Sequence, residues 1–127
     1  MRQAVSKRAG GRCEYCRTPE QASLDAFHVE HIRPLMQGGR SSLENLVWSC
    51  LFCAVRKATE FAVHDDLAGE LVPLYNPRTQ AWDDHFTLDG ARILGKSLTG
   101  RATVRLLQLN HPDQVETRAA LIAAGRW

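Results

Sequence analysis

The chain has 127 residues, 44% of them apolar and 24% charged, with a formal net charge of +2. That size supports one domain with one modest core, and the balance excludes disordered and coiled-coil classes. No apolar run approaches the roughly eighteen residues of a membrane span, so no membrane partner is expected, and the basic N-terminus lacks the apolar stretch of a secretory signal, which predicts a cytoplasmic protein.

The predicted elements follow in chain order. Residues 3–9 read as a short helix ending at Gly10-Gly11, and Cys13 and Cys16 then form a first CxxC pair. After a polar connection over 18–25, residues 26–32 read as a strand stopped by Arg33-Pro34. A loop over 36–40 holds Gly38-Gly39, and Ser41 and Glu44 have the spacing of a helix-capping box. Residues 46–48 read as a second strand, running into Cys50 and Cys53, and 51–63 as a helix. Further on come a turn over 64–69, a strand over 70–74 and a hairpin of 86–88 with 91–94 around Asp89-Gly90. A helix over 103–109 and a final helix capped by Asn110, with Pro112 near its start and Gly125 as its stop, complete the chain. Leu106, Leu107, Leu109, Val115, Leu121 and Ile122 are the expected core of this half, and Trp48 and Trp82 are expected to pack rather than stack on bases.

The four cysteines are the sharpest chemical signal. Two CxxC pairs separated by 33 residues are the spacing of a four-thiolate tetrahedral zinc site. Disulfides and a redox pair are the alternatives; a reducing compartment and the paired turns argue against them. Such a zinc is structural, because four thiolates leave no position for water. Four thiolates and one Zn²⁺ would bring the formal charge from +2 to zero, although residues 1–60 alone carry +3 and 61–127 carry −1. Nucleic-acid binding would then depend on a local patch, for which 13 arginines among 16 cations are well suited.

The stretch from Arg12 to Lys57, with both CxxC pairs, Glu30-His31, Pro34, Gly38-Gly39, Asn45-Leu46 and the trailing lysine, resembles the HNH or ββα-metal endonucleases in their zinc-stabilised form. Residues 71–110 also resemble the C-terminal extension of a bacterial subgroup. The fold class this implies is α+β. A small ββα-metal unit over 12–64 is stapled by the four-cysteine zinc site, and a C-terminal hairpin and two helices over 65–127 pack around it as one domain.

By the same resemblance, Cys13, Cys16, Cys50 and Cys53 hold zinc, His31 takes the proton from the attacking water, and Asn45 steadies the histidine and its loop. Glu30 binds the catalytic Mg²⁺ or Mn²⁺. Arg33, Arg40, Arg56 and Lys57 are the expected phosphate contacts, with Lys57 the foremost, and DNA is the expected partner. The position after the last cysteine, usually an Asn or His that supplies the second ligand to the catalytic ion, is Ala54, which has no donor. Ala58 stands where a glycine is common and Glu60 where the subgroup has asparagine, so drift of this helix explains Ala54 better than a single introduced change. Glu60 or His64 reaching the ion is the alternative.

Two readings follow. The first is a metal-dependent endonuclease that hydrolyses DNA phosphodiester bonds, weakened by Ala54, with a protein partner supplying specificity. The alternative is a catalytically inactive nucleic-acid-binding or protein-binding module on the same scaffold.

Overall fold

A computed structural model describes residues 1–65 and 67–127. The chain forms two compact units, Met1–Glu60 and Phe61–Trp127.

The first unit opens with helix α1 (Arg2–Arg8), which buries only Val5 and uses its arginines as clamps. Arg8 donates to the carbonyls of Leu43 and Leu46 (both 2.7 Å), and Arg2 donates to the Phe27 carbonyl while lying 4.7 Å above the Trp48 ring. Part of the arginine bias is therefore spent on internal carbonyls, where a planar fork satisfies two acceptors at once. Strands β1 (His28–His31) and β2 (Leu46–Ser49) pair antiparallel, with Glu30 opposite Val47 and His31 opposite Leu46. β2 is buried along its whole length and forms the core with Val5, Tyr15, Phe27 and Ile32. Trp48 is inside, as expected.

Helix α2 (Leu51–Lys57) is half the length expected, because the chain leaves the helix at Ala58 with φ 47° and ψ −121°. With the Glu60 N–H bonded to the Lys57 carbonyl (2.9 Å), this is a turn whose first central position favours glycine. An L-residue there costs about 1–3 kcal/mol, more than the extra chain entropy that glycine would lose on folding. Ala58→Gly is expected to stabilise the first unit by about 1 kcal/mol, read as a shift of the urea midpoint with unchanged slope.

The second unit contains two hairpins where one was expected. β3 (Ala62–Asp65) pairs with β4 (Glu70–Pro73), so the tail of the expected helix is a strand; the turn expected over 64–69 includes residue 66, outside the described residues. After the one-turn helix α3 (Trp82–His85), β5 (Phe86–Asp89) pairs with β6 (Arg92–Gly95). The expected hairpin is present, but its two-residue turn is Gly90-Ala91, with φ 59° at Gly90 and Asp89 already paired to Arg92.

Helix α4 (Leu98–Leu106) starts five residues earlier than expected, because Ser97 caps it by accepting the Gly100 N–H (2.9 Å). Gly100 itself admits the close approach of the helix to the hairpin: a Cβ there would collide with the His85 carbonyl oxygen. Helix α5 (Pro112–Ala123) is capped by His111, not Asn110. Asn110 instead completes the edge of β6, accepting the Ile93 N–H and donating to the Ile93 carbonyl, each at 2.8 Å. Leu107, Leu109 and Leu121 are buried with Trp82, Phe86 and Ile93, whereas Ile122 is 40% exposed and lies outside this core. Buried Arg118 ties α5 to the carbonyls of Ala91 and Leu109.

Candidate functional site

The four cysteines converge. Their sulfurs all lie within 4.8 Å of one another, every one is buried, and Cys16 Sγ is 3.7 Å from Cys50 Sγ. A tetrahedral centre with Zn–S bonds of about 2.3 Å has an edge of about 3.8 Å, so the donor set fits a zinc ion. A disulfide needs sulfurs about 2 Å apart, which is not the arrangement present.

Local structure brings these sulfurs together. The first knuckle closes through the Arg17 N–H on the Cys13 carbonyl (2.9 Å) and the Cys13 N–H on the Thr18 carbonyl (3.0 Å). It is fastened to β2 by Glu14, whose N–H donates to the Trp48 carbonyl (2.9 Å) and whose carboxylate accepts the Trp48 N–H (3.0 Å). The second knuckle is the start of α2, where Cys50 caps the helix by accepting the Cys53 N–H on its sulfur.

Without a cation the cluster cannot carry four negative charges. Hydrogen bonds from Cys13, Cys50 and Cys53 hold the Cys16 thiol well below its ordinary range. Bonds to Cys13 and Cys16, together with burial, push Cys50 and Cys53 up. A divalent ion would remove that conflict by displacing the protons.

A second constellation lies at the end of β1. Alternation along a strand puts Glu30 and His31 on opposite faces, but the strand ends at His31, and both residues line one cleft of about 190 Å³. Its other walls are Pro34, Leu35 and Met36 from the following loop and Ala58 and Thr59 from the turn after α2. His31 Nε2 lies 2.9 Å from Ser41 Oγ. That contact replaces the capping box expected from Ser41 and Glu44: the one-turn 3-10 helix Leu43–Asn45 starts at Ser42 and has no side-chain cap.

Asn45 holds the loop rather than the imidazole. Its Oδ1 accepts the Arg33 N–H, and its Nδ2 donates to the carbonyls of Arg33 and Arg40, all at 2.9 Å. Its own carbonyl accepts the Ile32 N–H, also at 2.9 Å. Gly39 is required beside this staple, since a Cβ there would collide with the Arg33 carbonyl oxygen and crowd Asn45 Nδ2.

The four expected phosphate contacts divide. Arg33 and Arg40 are exposed at the two ends of the loop, Arg33 with Nε on the Gln37 carbonyl (2.6 Å). Arg56 is half-buried, its guanidinium 3.6 Å above the Phe52 ring one turn earlier in α2. Lys57, the foremost expectation, is corrected: it is 2% exposed, and its ammonium donates to the carbonyls of His31 (3.2 Å) and Ile32 (3.0 Å). Burial pushes its pKa down from the usual value, opposed by Glu30 and Glu60. Lys57 therefore pins the end of β1 to α2 and offers no surface charge. Ala54, whose carbonyl accepts the Ala58 N–H (3.0 Å), presents only a methyl group.

Ser41, Arg8 and the inward role of Lys57 were not foreseen. Each acts through a contact between segments remote in sequence, and neither composition nor spacing marks it.

Residues 13–60 match the HNH endonuclease family profile. Septu protein PtuB of Bacillus thuringiensis is 28% identical over 119 aligned residues, which take in 88% of this chain and 42% of that protein. No solved structure matches the chain significantly. Residues 13–60 are thus similar to HNH endonucleases, and this segment holds a four-cysteine cluster positioned to bind a metal. Among the described residues no helix is long and apolar enough to cross a membrane.

Proposed function

We propose that the chain is a metal-dependent endonuclease that hydrolyses DNA phosphodiester bonds, slowed by the alanine at position 54. The observation that carries this reading is the convergence of Glu30 and His31 on one cleft beside a loop stapled by Asn45. In this reading zinc fills the four-cysteine cluster and is structural. Glu30 would hold a Mg²⁺ or Mn²⁺ ion. When bound, such an ion stabilises charge on the phosphoryl and leaving oxygens. Hard cations of this kind keep several waters and accept one or two carboxylates plus substrate phosphate, so one protein ligand weakens the site without abolishing it. The His31 imidazole takes the proton of the attacking water, a role for which histidine is suited at neutral pH. Asn45 fixes the loop that forms one wall, and exposed Arg33 and Arg40 are the phosphate contacts that remain.

The two compact units act as one cytoplasmic domain in this proposal, and site preference comes from a protein partner. The chain spans less than half the length of PtuB.

Nicking of supercoiled plasmid in Mg²⁺, Mn²⁺ or excess EDTA tests the proposal. Metal-dependent nicking that disappears in His31→Ala is expected. Folded, zinc-loaded protein that nicks in no metal would favour the second reading, an inactive nucleic-acid-binding or protein-binding module, to which the bare methyl of Ala54 points.

A further inference from the structure

A histidine that accepts a proton needs more than a place in a cleft: one ring nitrogen must carry the hydrogen so that the other offers its lone pair. Nothing in the motif around His31 decides which nitrogen that is, and the Asn45 side chain bonds to loop carbonyls and an amide rather than to the ring. The fold sets His31 Nε2 against Ser41 Oγ at 2.9 Å.

Ser41 is well placed to hold that bond. It directly follows Arg40, whose carbonyl is fixed by Asn45 Nδ2, and precedes Ser42, which starts the one-turn helix before β2. Its backbone position is therefore set by the staple that shapes the cleft wall. The spacing to Glu44 offered Ser41 a capping role that it does not take. At the other end, the His31 carbonyl is held by Lys57 Nζ (3.2 Å), so both the backbone and the ring of His31 are anchored, by different elements.

We propose that Ser41 is a positioning residue for His31: its Oγ accepts the Nε2 hydrogen, fixing the ring so that Nδ1 is the nitrogen that receives the proton from water. This rests on the nuclease reading above. A serine hydroxyl can serve as acceptor here and leave its own hydrogen to solvent, since Ser41 is exposed. The converse arrangement, with the hydroxyl donating to Nε2, would put the hydrogen on Nδ1 and leave the ring no lone pair for water.

The test uses the full chain, zinc-loaded, as wild type, Ser41→Ala and Ser41→Thr. Imidazole nitrogen chemical shifts of His31, recorded at alkaline pH, read the tautomer independently of cleavage. Wild type is expected to carry its hydrogen on Nε2, with Ser41→Ala showing a tautomer mixture. Ser41→Ala is expected to lower kcat for nicking about tenfold with KM unchanged, the scale on which supporting hydrogen bonds act, and Ser41→Thr to restore it. A wild-type hydrogen on Nδ1, or a Ser41→Ala protein with wild-type shifts and wild-type kcat, would overturn the role of Ser41 while leaving the nuclease reading intact. Wild-type protein that cuts in no metal would overturn that reading and this inference with it.

Discussion

Removal of the metal from the four-cysteine cluster is expected to unfold the first unit. Structural zinc contributes on the order of 10 kcal/mol in small domains, as much as the whole stability of an ordinary one. The unit Met1–Glu60 is small, its two strands have four residues each, and the sulfurs join segments 33 residues apart. Metal analysis should find one zinc per chain. A high-affinity chelator, or Cys53→Ser, should remove the ion together with the amide dispersion of residues in β1, β2 and α2. Protons compete with the ion for the thiolates, so the chelator concentration needed should fall as pH falls. Retention of native dispersion in a metal-free protein would mean that the core around Trp48 holds the cysteines by itself.

Ala54→Asn is expected to raise plasmid nicking about tenfold at limiting Mn²⁺, with a smaller gain at saturating metal. The substitution returns a donor in α2 at the residue whose carbonyl holds the N–H of the cleft residue Ala58. A regained ligand tightens ion binding, so the gain should be largest where ion occupancy limits the rate, and tenfold is the lower end of what changes around a metal site produce. A metal titration of initial rates reads both effects. Equal, negligible rates in wild type and Ala54→Asn, with both folded, would place the defect beyond the missing ligand and support the inactive module.

Much of the first unit was legible because its signals are local. The CxxC pairs, the proline after β1, Gly38-Gly39 and the apolar run of β2 each report on a few neighbouring residues, and together they define the knuckles, the loop and the hairpin. The failures have physical causes. Helix α2 was extended through residue 63 because an alanine at position 58 gives no warning of a positive φ; a glycine would have marked the stop. Helix α4 lost its first turn because Thr99 and Gly100 weaken its propensity, while the Ser97 cap and close contact with the hairpin hold it. Asn110 reads as a cap by residue type, yet its amide is used by the β6 edge, a tertiary choice that outweighs the local one.

The candidate site divides along the same line. The convergence of the cysteines followed from spacing, whereas strand alternation puts Glu30 and His31 on opposite faces, and only the end of β1 at His31 lets both line one cleft. Lys57 was misplaced because a lysine on a helix ordinarily reaches solvent. Here the carbonyls of His31 and Ile32 at the end of β1 accept its ammonium inside.

The bracket of Glu14 on Trp48 bears on how the centre assembles. Bringing two remote segments together carries an entropic cost that rises only slowly with the length between them. Glu14 closes that same loop with a backbone and a side-chain bond to Trp48, two residues before Cys50. Even a short-lived bracket offers an arriving ion all four sulfurs at once instead of two. Capture can then proceed in one encounter, and its speed depends on how often the strand edge is formed rather than on a search by a half-coordinated ion.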